Sequence, residues 1–141
     1  MNVSFNVPLN LFPKKPCSSS GAFSLNYSQR LFKNGTQTSE QHIMERHGGA
    51  GLPGVSRYNG TFGQIKNLNS VKYLFGSQTV QGNSVVFQFS LPQAFAPVGL
   101  YSYIGTDPSG QPTSTNRLVT TGNCQTVVTC YPIPDPVPVV P

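Results

Sequence analysis

Val71-Lys-Tyr-Leu-Phe-Gly-Ser-Gln-Thr-Val80-Gln-Gly-Asn-Ser-Val85-Val-Phe-Gln-Phe-Ser90-Leu91 is the stretch whose reading decides the fold of this chain. Val85, Phe87, Phe89 and Leu91 alternate with Val86, Gln88 and Ser90. A period of two sends every second side chain to one face, the pattern of a half-buried strand. Val71, Tyr73 and Phe75 alternate with Lys72 and Leu74 in the same way. Gln81-Gly82-Asn83 lies between the two runs, and Gly82 supplies the positive φ of a tight hairpin turn. Leu100, Tyr101, Tyr103 and Ile104 supply a third strand. The reading is a β-hairpin plus one strand as the nucleus of a mainly β fold with much irregular and extended structure.

Working upstream, Val3, Phe5 and Val7 alternate with Asn2, Ser4 and Asn6, a short strand ended by Pro8. Pro13 to Gly21 reads as an extended arm. Phe23, Leu25 and Tyr27 suggest another strand, extending toward Phe32, and Asn34-Gly35 a turn. Thr38-Ser39-Glu40-Gln41 fits a capping box, Glu40 complements a helix N-terminus, and Arg46 and His47 complement its C-terminus before Gly48-Gly49. These signals predict one short helix over 39–47, which must dock on something because it is too short to stand alone.

Downstream, Gly105 to Gly110 is a turn, and residues 117–121 and 124–131 are Val- and Thr-rich strands joined at Gly122-Asn123. From Pro132 to Pro141 proline falls at nearly every second position, which predicts a stiff polyproline-like tail. The organisation expected is an arm over 1–22, a small antiparallel β body over 23–131 and a tail over 132–141.

Composition narrows the function classes. Of 141 residues only 9 % are charged, against roughly a quarter in an average soluble domain, so repulsion between copies is weak. The net charge of +5 is concentrated before Asp107, but only Lys14-Lys15 are adjacent. Nucleic acid is therefore a weaker candidate partner than protein. Four carboxylates in all leave little for acid–base catalysis, and His42 with Glu45 on one helix face does not complete a metal site. No catalytic residue, cofactor or metal is assigned. Cys17, Cys124 and Cys130 make an odd count. Six positions along one strand would separate Cys124 and Cys130 by roughly 20 Å, and nothing between them signals a turn, so reduced thiols are expected. The start has no signal-peptide pattern, so the Asn-x-Ser/Thr triplets at Asn2, Asn26, Asn34 and Asn59 are expected to go unmodified. No run reaches the ~20 apolar residues of a membrane span.

The charge-poor Ser/Asn/Gln/Thr/Gly body, the segment Thr38-Ser-Glu-Gln-His-Ile-Met-Glu-Arg-His47 and the Pro-Val tail together resemble small minor capsid or cement proteins of large icosahedral double-stranded DNA viruses. The resemblance implies a structural protein of a virion, assembled in the host cytoplasm, bridging larger subunits such as the major capsid protein. Phe5, Phe23, Tyr27 and Ile43, with Pro132, Pro134, Pro136 and Pro138 of the tail, are the residues expected to touch neighbours. The competing reading is a soluble adaptor that presents the tail as a peptide ligand.

Overall fold

Thr38 caps the first helix as its sequence requires. Its hydroxyl accepts from the Gln41 N–H at 3.2 Å, and the Gln41 side chain accepts from the Thr38 N–H at 2.9 Å. The helix, α1, runs Ser39–His47 and stops at Gly48. The structure, a computed structural model, describes residues 16–17, 24–49, 54–91 and 103–136.

A second capping box opens a helix where the sequence reading had none. The Thr61 hydroxyl accepts from Gln64 N–H at 3.3 Å, and Gln64 accepts from Thr61 N–H at 2.8 Å. α2 runs Phe62–Lys72 and continues as a 3-10 turn over Tyr73–Phe75. The strand expected over Val71–Phe75, and the expectation of a single helix, are therefore corrected. Two periods overlap in this stretch. Ile65, Asn69 and Tyr73 recur every four residues and all are buried, which is the helical period. The alternation of Val71, Tyr73 and Phe75 is incidental: Val71 and Phe75 are exposed while Tyr73 is fully buried.

The remaining elements are strands: β1 Arg57–Tyr58, β2 Ser77–Gln81, β3 Ser84–Ser90, β4 Gly105–Thr106, β5 Pro112–Thr113, β6 Thr115–Thr121 and β7 Val127–Ile133. Among the described residues they form two antiparallel sheets, one of three strands ordered β1-β4-β5 and one of four ordered β2-β3-β6-β7. The fold is mainly β, with two short α-helices among the described residues. The expected hairpin is present, but its first strand lies six residues later than read. Val80 faces Val85 and Gln78 faces Phe87 across it, and Gly82 takes φ +60° in the turn. Gly76 delivers the chain from the 3-10 turn into β2. A Cβ there would meet the Gln88 carbonyl oxygen at 2.0 Å, so only glycine fits.

The third strand of the expected nucleus is displaced. β4 begins at Gly105 and belongs to the small sheet, so the neighbour of β3 in the large sheet is β6. Leu100 and Tyr101 lie outside the described residues. The strand expected over 124–131 starts three residues later. Asn123 collects the N–H groups of Gln125 and Thr126 on its Oδ1, and Cys124 adopts φ +65°, so these residues build a turn. β7 in turn runs on through Pro132 to Ile133, past the boundary read for the tail. Of the strand expected at 23–32, the described part makes only isolated bridges: Asn26 with Thr126, and Phe32 with Gln37.

The core lies on one face of the large sheet. Val85, Phe87, Phe89, Leu118 and Cys130 point into it, and Tyr73 meets Phe87 edge-on with ring centroids 4.9 Å apart. Ile43 carries α1 into the same cluster, and Ile65 carries α2. α1 is further tied to the sheet by its first residue, whose Ser39 hydroxyl donates to the Val127 carbonyl at 2.6 Å.

Candidate interaction surface

The two edges of the large sheet are treated differently. β7 is crowded: α1, β1 and β4 all pack against it. Its approach is also paired, since Asn26 donates its N–H to the Gln125 carbonyl at 2.8 Å and accepts from Val127 N–H at 2.8 Å. β2 closes the other side of the sheet, and among the described residues no strand pairs with its outer edge.

An open edge is a row of N–H and C=O groups ready to pair, and proteins usually blunt it with charge, proline or a bulge. β2 carries Ser77, Gln78, Thr79, Val80 and Gln81, with neither charge nor proline, and pairs with β3 in unbroken register. Four of the five residues are exposed. Val80 stands 60 % exposed although the register puts it on the core face opposite Val85. Exposed Val71 and Phe75 end the helix just before this strand. Arg117 is the one charged residue in the four strands of the large sheet, and its guanidinium donates to Gln88 Oε1 at 3.3 Å.

Cys17, buried, bridges this strand and the turn before β7. The Cys17 N–H donates to Gln78 Oε1 at 3.0 Å, and Cys17 forms a disulfide with Cys124 across 107 positions of sequence, with Cα atoms 5.9 Å apart. This corrects the expectation of reduced thiols for Cys17 and Cys124. On one strand Cys124 and Cys130 would lie too far apart to pair; the turn at Cys124 instead brings that residue against Cys17. Cys130 is the free cysteine, fully buried, and burial pushes its thiol up to about 11.

The residues expected to touch partners separate into three groups. Tyr27, Ile43 and Pro132 are buried inside the chain itself, so their side chains serve its own core. Pro134 and Pro136 are exposed. Phe5, Phe23 and Pro138 lie outside the described residues. The base of the tail is fastened rather than free. Asp135 Oδ1 accepts from the Ser114 N–H at 2.9 Å and the Thr115 hydroxyl at 2.6 Å. The Thr113 hydroxyl, 3.1 Å away, divides its proton between that carboxylate and the Ile133 carbonyl.

Two constellations with titratable groups are structural in their contacts. Tyr58 donates to Asn116 Oδ1 at 2.5 Å, Asn116 to Asn69 Oδ1 at 2.8 Å, and Asn69 to the Tyr27 hydroxyl at 3.0 Å and Cys130 Sγ at 3.5 Å. Burial raises both tyrosines well above the usual range. Each of these side chains is bonded to another within the core. His47 sits against the Ser56 carbonyl at 2.8 Å and stacks on Tyr131, and burial lowers its pKa. Among the described residues no three His, Cys, Asp or Glu side chains gather as a metal site, and no helix is long and apolar enough to cross a membrane. β2 was missed as the candidate surface because its exposed polar residues lack the apolar alternation by which strands were sought.

No family model matches the chain, and no curated protein or solved structure is significantly similar to it.

Proposed function

We propose that this chain is a non-enzymatic structural protein of a large assembly, a minor capsid or cement component that joins larger subunits. The observation that carries this reading is the edge of β2, which has neither charge nor proline and pairs with no other strand among the described residues. In a free monomer such an edge invites uncontrolled pairing, whereas in an assembly it is a joint. The low charge of the whole chain favours close packing of neighbours for the same reason. The adaptor reading loses ground because the first part of the tail is held: Pro132 is inside β7 and Asp135 is bonded to β6 and the residue before it.

The test places lysines on the edge. Thr79→Lys with Val80→Lys should leave the thermal melt of the chain nearly unchanged, because both side chains are exposed. In sedimentation, wild type should form higher-order species as concentration rises and the variant should remain monomeric. A wild-type chain that stays a compact monomer at every concentration, and is not recruited by any larger subunit, overturns the proposal.

A further inference from the structure

We propose that Asn26 and Asn34 are N-glycosylation sites, each taking an oligosaccharide from a polyprenyl-diphosphate donor in an oxidising compartment. The proposal goes beyond the reading of β2 and does not depend on it. Two independent observations combine, one of compartment and one of place. The disulfide joins Cys17 to Cys124 across 107 positions of sequence, with Cys17 buried at the junction. Structural disulfides form and persist in the secretory lumen and outside the cell, whereas thiols are kept reduced in the cytosol. The start of the chain has no signal-peptide pattern, so the bridge is the observation that argues for the lumen. It points away from the cytoplasmic assembly that the resemblance implied. In such a compartment an Asn-x-Ser/Thr triplet at the surface is an acceptor for sugar.

The fold puts both triplets at the surface. Asn26 and Ser28 are exposed, while Tyr27 between them is buried in the core. The Asn26 Oδ1 accepts from the Ser28 N–H at 2.8 Å and from its hydroxyl at 2.7 Å. A backbone N–H can only donate, so the amide oxygen faces Ser28 and Nδ2, the nitrogen that takes the sugar, is left out of both bonds. Asn34, Gly35 and Thr36 are all exposed, in the turn closed by the bridge of Phe32 with Gln37. Both sites lie on the β7 side of the large sheet. Asn26 bonds through its backbone to Gln125 and Val127. Lys33, next to Asn34, pairs with Glu45 of α1, which packs on β7. Sugars on this side leave β2, at the opposite edge, clear. Asn59 is not assigned: its Nδ2 donates to the Tyr103 carbonyl at 3.2 Å, and the hydroxyl that ends its triplet, Thr61, caps α2. Asn2 lies outside the described residues. In the transfer, Nδ2 bonds to the anomeric carbon of the first sugar as the bond from that carbon to the diphosphate oxygen breaks. The polyprenyl diphosphate leaves, and the proton lost by the nitrogen balances its charge.

The test uses the full chain isolated from the cells that make it, alkylated without reduction and digested. Peptide mass spectrometry should find sugar on Asn26 and Asn34 and Cys17 joined to Cys124. A peptide N-glycosidase acting in water labelled with heavy oxygen should then turn both asparagines into labelled aspartates. Unmodified peptides at both positions overturn the proposal even where the disulfide is intact, as does sugar on Asn59 with Asn26 and Asn34 bare. One bare position removes that site. Cys17 and Cys124 recovered as free thiols overturn the compartment on which the proposal rests. Expressed in the same cells, Ser28→Ala and Thr36→Ala should each abolish the sugar of its own triplet and leave the other, with the asparagine still in place. A position still modified in its own variant is not an acceptor of this kind, and its assignment falls. Lysines at 79 and 80 should leave every one of these readouts unchanged, so this proposal and the reading of β2 fail separately.

Discussion

The side-chain amide of Asn116 donates to Asn69 Oδ1 at 2.8 Å, with both residues wholly buried and 47 positions apart in sequence. Through Tyr58, Tyr27 and Cys130 this pair links β1, α2, β6, β7 and the segment before α1. A satisfied buried network specifies one arrangement of the elements that contribute to it. Removing one member leaves its partners as orphaned polar groups, each costing about 1–3 kcal/mol. Asn116→Ala should therefore lower the unfolding free energy by about 2–4 kcal/mol in urea melts. Asn69→Ala should do about the same. The double variant should cost less than the sum, because each single change already breaks the shared bond.

Closing a loop of 107 positions stabilises by about 4–5 kcal/mol in the chain-entropy picture. Reductant should lower the melting temperature of wild type to that of Cys17→Ser with Cys124→Ser, and leave the double variant unaffected. A thiol reagent applied to the unreduced native chain should find no reactive cysteine. The same reagent should find one, Cys130, after unfolding, since the native thiol is buried and held protonated.

Burial, reinforced by Arg46, lowers the pKa of both His42 and His47 from the ordinary 6.5. The fold then binds fewer protons than the unfolded chain below that value. Stability is complete above about pH 6.5 and falls as pH drops toward the folded-state values. Thermal melts at pH 7.5 and 5.0 should show this fall, and His47→Gln should reduce the difference between the two. An unchanged pH dependence in that variant would remove His47 from the account.

Asp135 fastens the start of the proline tail to the strand that begins at Thr115. Asp135→Ala should cost about 1–2 kcal/mol, since these are charge-assisted bonds at a residue that solvent still reaches. Limited proteolysis should then cut between β7 and the tail much faster than in wild type. Asp135→Asn, which keeps one acceptor oxygen, should fall between the two.

Local chemistry is what the sequence read well. The capping box at Thr38 and Gln41 fixed the start of α1 because its bonds join residues three apart. The turns at Asn34-Gly35 and Gly82 were legible because they need a positive φ that few residues adopt, and β3 because its alternation is unbroken over seven residues. α2 was hidden by a competing period of two at its C-terminal end. Its own capping box, Thr61 with Gln64, was the signal that would have found it.

What required the tertiary structure is whatever depends on distant partners. Cys17 met Cys124 because a turn built by Asn123 lifted Cys124 off the strand, which no local pattern announces. Tyr27, Ile43 and Pro132 looked like side chains for a neighbour until the sheet and the two helices enclosed them. Propensity and periodicity act within a few residues, so the sequence by itself determined that this chain would be β-rich with one capped helix at 39–47. Which sheet edge closes and which stays open is a matter of what else packs there. Only the assembled elements decided that, crowding β7 and leaving the outer side of β2 without a partner strand among the described residues.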